Sequence, residues 1–157
     1  MPSKYTSPSR FTQPDPRYNS VLVTKFCNCI MQDGKKELAY QIFYDAMTEI
    51  GDRMKDRDPL EVFQGALANV KPMIQVRSRR VGGATYQVPM ALKKKRATAL
   101  AVRWILEATR KRKGRPMFKR LADELIMAYR REGTAMATRD NVHKMAEANK
   151  AFAHLSW

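Results

Sequence analysis

The sequence predicts a mainly α-helical fold, a six-helix domain with one β-hairpin projecting between the third and fourth helices. Three observations carry that prediction. Apolar residues recur at helical spacing in six separate stretches. Between the third and fourth stretches the period shortens to two around Gly82-Gly83, which marks a hairpin. Apolar residues make up 44% of 157 residues, enough for one hydrophobic core.

Residues 1–18 hold four prolines, several hydroxyl residues and the cations Lys4, Arg10 and Arg17. That composition cannot pack a core and reads as an extended basic arm, with residues 19–157 as a single helical domain. Asn19 or Ser20 can cap the first helix, whose apolar face is read as Leu22, Phe26, Cys29 and Ile30 before Asp33-Gly34 breaks it. The second helix carries Leu38, Ile42, Ala46 and Ile50 and stops at Gly51. Asp58-Pro59-Leu60-Glu61 starts the third, with Asp at N-cap, Pro at N1 and Glu at N3 in a capping-box-like arrangement. Phe63, Leu67 and Val70 face the core, and Pro72 ends that helix.

The hairpin is expected at about 73–89. Ile74 and Val76 alternate with Gln75 and Arg77, Tyr86 and Val88 with Gln87, and Pro89 closes the second strand. Ala97, Ala101, Trp104 and Ala108 mark the fourth helix, broken at Gly114 and Pro116. Met117, Leu121, Leu125 and Ala128 mark the fifth, stopped by Gly133. Thr138 is read as capping the sixth, with Val142, Met145 and Phe152 on its apolar face.

Charge decides the function class. The formal net is +15, with residues 1–70 balanced at nine basic and nine acidic side chains and residues 121–157 at five and five. The whole excess lies in residues 71–120, sixteen cations against Glu107 alone. Solubility would spread such charge, whereas a binding face for a polyanion concentrates it. Three runs supply it. Arg77 and Arg79 share the strand face of Gln75, while Arg80 points the other way or into the turn, beside glycines (Gly82, Gly83) that let backbone approach a ligand. Lys93, Lys94, Lys95 and Arg96 crowd a helix N-terminus, where the macrodipole disfavours cations but an external phosphate gains from both. Arg96, Arg103 and Arg110 then recur every seven residues as one stripe, which Glu107 shares. Arg110, Lys111, Arg112, Lys113, Arg115, Lys119 and Arg120 gather at the next helix junction.

Other classes find little support. No apolar run spans a bilayer or resembles a secretory signal, so no membrane partner is expected. Cys27 and Cys29 point about 200° apart on a helix, and with two lone histidines they make no metal site. They read as reduced, partly buried thiols. The chain has no phosphate loop, dinucleotide fingerprint or nucleophile elbow, so neither a cofactor nor catalysis is expected. His143 and Glu147, four apart, read as a surface pair. Asp123 and Glu124 point apart on their helix.

Longer motifs are more specific. The run Ser78-Arg79-Arg80-Val81-Gly82-Gly83-Ala84-Thr85-Tyr86-Gln87-Val88-Pro89 resembles the hairpin of the S-seven family of bacterial small-subunit ribosomal proteins. Asp33-Gly34-Lys35-Lys36, Ala101-Val102-Arg103-Trp104 and the closing Val142 to His154 are similar to that family in the same order. The resemblance implies a non-catalytic protein of the cytoplasmic or an organellar ribosome that binds the 3′ major domain of small-subunit ribosomal RNA and organises the head. It implies a hairpin near the exit-site tRNA, a C-terminal region near the platform and messenger RNA exit path, and neighbouring small-subunit proteins of head and platform as partners. By position it assigns RNA contact to Lys35, Lys36, Arg77, Arg79, Arg80, Gly82, Gly83 and Arg96, with the helix after them adding to it. The chain departs from the family in a less basic start and in Leu155-Ser156-Trp157, which lacks the usual Arg before the final Trp. The alternative is an architectural DNA-binding protein with a basic β-arm, which is usually a symmetric dimer.

Overall fold

The computed structural model describes residues 12–155. Lys4 and Arg10, most of the expected arm and the final Ser-Trp lie outside the described residues. Among the described residues six α-helices run Val21–Ile30 (α1), Lys36–Arg53 (α2), Pro59–Val70 (α3), Lys94–Lys111 (α4), Met117–Tyr129 (α5) and Thr134–Ala148 (α6). Strands Ile74–Val81 (β1) and Ala84–Ala91 (β2) sit between α3 and α4, and a 3-10 helix, Lys150–Leu155, follows α6. The mainly helical fold with one hairpin between the third and fourth helices stands as expected. The chain divides into two compact units, Met1–Tyr44 and Asp45–Trp157, with α2 running through the boundary.

In the first unit, order begins before Asn19. Asp15 is fully buried, and its carboxylate accepts the Arg17 and Tyr18 N–H groups (3.1 and 2.8 Å) and the Tyr44 hydroxyl (2.6 Å). The Thr24 hydroxyl donates to the Gln13 carbonyl at 2.9 Å. Ser20 is the N-cap of α1 but makes no side-chain capping bond. The buried face of α1 is Val23, Thr24, Phe26, Cys27 and Ile30, so the expected Phe26 and Ile30 stand while Leu22 and Cys29 give way to Val23 and Cys27: Cys27 is buried and Cys29 exposed. Phe26 meets Phe43 of α2 with ring centroids 5.7 Å apart. On α2 the expected Ala46 and Ile50 are buried, but Leu38 is left half exposed while Ala39 and Phe43 turn inward.

In the second unit, α2 continues through Gly51 to Arg53, because a lone glycine weakens a helix without ending it. Arg53 pairs with Glu49 at 2.6 Å and Asp123 of α5 at 2.5 Å, and the Asp123 carboxylate raises its guanidinium further above its ordinary range. Asp58 does hold the N-cap of α3, yet its side chain caps nothing and Glu61 pairs with Arg57 instead, so the expected capping box is not formed. Val62, Phe63, Leu67, Ile105, Leu121 and Leu125 are fully buried. Gly65 of α3 is required by its neighbour, since a Cβ there would lie 2.7 Å from the Tyr129 ring of α5. The Asn69 amide donates to the Ala128 and Tyr129 carbonyls at the end of α5. Trp104 is only half buried, whereas Ala97, Ala101 and Ala108 are buried. The sixth helix starts at Thr134 after a positive-φ Gly133, four residues before the expected Thr138 cap. It buries Ala135, Met136 and Ala146, not the expected Met145, which is half exposed.

Candidate nucleic-acid interface

The hairpin follows from its turn. Gly82 and Gly83 have φ of 59° and 87°, as a two-residue type I′ turn needs, and Val81 pairs with Ala84 beside them. The register runs to Ile74↔Ala91, two residues past the expected stop at Pro89. Leu92 N–H donates to the Met73 carbonyl at 3.0 Å. Pairs alternate between bonded and non-bonded, so Val76↔Pro89 is a non-bonded pair and proline's missing N–H costs no ladder bond. Proline thus lies within the strand, facing its outer edge.

Cross-strand partners share a face, which separates the three arginines. One face carries Arg77, Arg79, Tyr86 and Val88. Val88 is buried, Tyr86 packs against Phe152 of the 3-10 helix with ring centroids 5.1 Å apart, and the Arg79 guanidinium donates to the Leu155 carbonyl. Arg79 is half buried, while Arg77 toward the base is exposed. The opposite face presents Arg80 with Ser78, Thr85 and Gln87, all exposed.

The hairpin leads straight into the second cluster. Lys93 is the N-cap of α4, and it, Lys94, Lys95 and Arg96 are all exposed, with no acid in the first turn. The Lys93 carbonyl accepts both the Arg96 and the Ala97 N–H (2.9 and 3.0 Å), closing the first turn of α4. Arg103 and Arg110 continue the exposed stripe, and Arg103 forms no ion pair with Glu107 among the described residues.

At the α4–α5 junction the cluster divides. Arg112 reaches inward to fully buried Glu124, its Nη2 2.8 Å from Oε2. That ion pair is close but poorly angled, because the same nitrogen aims at Met127 Sδ (3.7 Å) and Oε2 gains no hydrogen bond. The other carboxylate oxygen accepts the Ala135 N–H at 2.9 Å in the first turn of α6. Arg115 lies 3.4 Å from Asp123, the Arg120 guanidinium donates to the Arg112 carbonyl, and Lys119 sits 5.9 Å from the Phe118 ring. Lys111 and Lys113 remain exposed. Asp123 and Glu124 thus serve different partners. An acid inside the apolar series Leu121, Leu125, Ala128 was the signal for a buried pair.

The first unit holds the remaining candidates. Asp33 and Gly34 turn the chain with positive φ, and exposed Lys35 and Lys36 open α2, Lys36 lying 5.8 Å from the Tyr40 ring. Arg17 lies 5.6 and 5.2 Å from the Tyr18 and Tyr44 ring centres. Burial and then the Asp15 hydrogen bond push the Tyr44 hydroxyl above the phenol range. Burial, with Asp15 adding, pushes the Cys27 thiol up to about 12, so it is not an activated nucleophile. His143 accepts the Met73 N–H on Nε2 at 3.2 Å, fastening β1 to α6, a contact the spacing with Glu147 did not foretell. Among the described residues no group of three or more His, Cys, Asp or Glu is placed to hold a metal ion, and no helix is long and apolar enough to cross a membrane.

A helical body displaying cations on a β-arm, at the helix start beneath it and along that helix has the build of a polyanion-binding protein. Its relatives narrow the class. The family described as ribosomal protein S7p/S5e matches residues 2–150. Proteins called small ribosomal subunit protein uS7 are similar over nearly their whole length. The one from Rhodopirellula baltica is 57% identical over 91% of this chain and 92% of its own, and the one from Desulfotalea psychrophila 53% identical over 100% of both. That from Thermotoga neapolitana is 55% identical over 92% of both. The chain belongs to the ribosomal protein S7p/S5e family, as its motifs led one to expect.

Proposed function

We propose that the chain binds the 3′ major domain of small-subunit ribosomal RNA and helps nucleate and organise the head of the subunit, without catalysing a reaction. The hairpin lies near the exit-site tRNA, and the C-terminal region near the platform and the messenger RNA exit path. Neighbouring head and platform proteins are its other partners, in the cytoplasmic or an organellar ribosome. One observation carries the reading: all of the excess positive charge falls within residues 71–120, and most of those side chains are exposed. The contacts are assigned to Arg77, Arg80, Gly82, Gly83, Lys93 to Arg96, Arg103, Arg110, Lys111, Lys113, Arg115 and Lys119. Lys35 and Lys36 join them, with Lys4, Arg10 and Arg17 of the N-terminal segment.

The test is a salt series of affinity for a head-domain fragment of the RNA. Each phosphate neutralised adds about 0.7–0.9 to the log–log slope, and a slope near zero rules the reading out. Unlabelled duplex DNA at matched phosphate is the competitor. Failure to displace the RNA shows that junction shape and 2′-hydroxyls are read. Displacement as effective as by RNA favours the architectural DNA reading.

A further inference from the structure

We infer that the 3-10 helix Lys150–Leu155 is a brace for the β-hairpin, and that Arg79 is a positioning residue of the arm instead of one of its phosphate contacts. Arg79 and Tyr86 are direct cross-strand partners, so their side chains leave the hairpin on the same face and at the same rung. Both are taken by the same short helix. The Tyr86 ring packs against Phe152, centroids 5.1 Å apart and tilted by 50°, and the Arg79 guanidinium donates to the Leu155 carbonyl. A two-stranded hairpin is marginal alone and needs such a support to hold one direction. The second hold is at the base, where His143 of α6 accepts the Met73 N–H. The base and the third rung from the turn are therefore both tied to the C-terminal part of the chain, and the turn projects beyond them. Of the two neighbouring arginines, Arg79 is half buried against the brace and Arg80 is exposed on the opposite face. They look equivalent in sequence and do different work.

The inference uses the proposed RNA reading for its second measurement only. The first is hydrogen exchange on the free, full-length protein. Phe152→Ala and, from the other side, Tyr86→Ala should speed exchange of the β1 and β2 amides by about three- to tenfold, the loss of one aromatic pair. The amides of α3 and α5 should be unchanged. Unchanged hairpin exchange in both variants, or equal acceleration in α3 and α5, overturns the brace. The second measurement is the salt slope of binding to the head-domain RNA fragment. Removing a phosphate contact lowers the slope by about 1, and Arg80→Gln should do so. Arg79→Gln and Phe152→Ala should weaken binding with the slope unchanged, and the double variant should weaken it no more than either alone. A slope that drops for Arg79→Gln as it does for Arg80→Gln returns Arg79 to the phosphate contacts. If wild-type protein does not bind the RNA, the proposed function fails while hydrogen exchange still decides the brace.

Discussion

The hairpin with the start of α4 and the α4–α5 junction are equally basic in sequence, and the folded chain uses them differently. At the hairpin and α4 start, Arg80, Lys93, Lys94, Lys95 and Arg96 are exposed and form no salt bridge among the described residues. At the junction, Arg112 serves buried Glu124, Arg115 approaches Asp123, and Arg120 holds a carbonyl. The cause lies just beyond the basic segment. Asp123 and Glu124 are one helical turn past Lys119 and Arg120, and folding α5 back on α4 brings them to the arginines. Charge density finds a basic surface, but acids on the next element decide which cations reach solvent.

The largest effect that would sharpen this contrast is at the buried pair. Arg112→Met leaves Glu124 buried without its cation and should lower stability by about 3 kcal/mol, the low end for such losses because Arg112 is 30% exposed. Urea unfolding measures it, and a loss below about 1 kcal/mol would make Arg112 a surface cation like its neighbours. Trp104→Ala should cost about 2–3 kcal/mol in the same assay, less than a fully buried tryptophan, because the residue is only partly buried. Arg77 and Arg80 changed together to Gln should leave the thermal midpoint nearly unaltered, within about 0.5 kcal/mol, while the RNA salt slope falls by about 2. An early melt would show that the hairpin cations support the fold. Arg115→Gln should cost little in stability, since a 64% exposed side chain 3.4 Å from Asp123 contributes about 0–1 kcal/mol.

The two thiols provide a control outside both regions. Cys29 should react with a thiol reagent at pH 8, and Cys27 only after unfolding. Because the folded Cys27 pKa is raised from 9.0 to about 12, its contribution to stability is complete below pH 9 and is lost as pH rises toward 12. Equal reactivity of both thiols in the native protein would place Cys27 at the surface.

Element types were legible along the chain because each leaves a local trace. Gly82-Gly83 between alternating residues requires a hairpin whatever surrounds it, and Pro59 behind Asp58 opens a helix wherever that helix packs. Faces and ends were less legible. A shift of one residue turns a helix by 100°, so spacing alone did not choose between Cys27 and Cys29 as the buried thiol. Gly51 and Pro89 look like stops, yet neither breaks a bond that its element needs.

By itself, then, the sequence determined the six helices, the hairpin and its turn, the segment holding the excess charge, and the family. All of these rest on local composition, spacing or long motifs. Tertiary structure alone decided that Glu124 is buried against Arg112, that Asp15 is sealed beneath Tyr44, and that Arg79 is held by the 3-10 helix while Arg80 faces outward. Each depends on which residues distant in sequence come within about 3 Å of one another, and no local pattern records that distance.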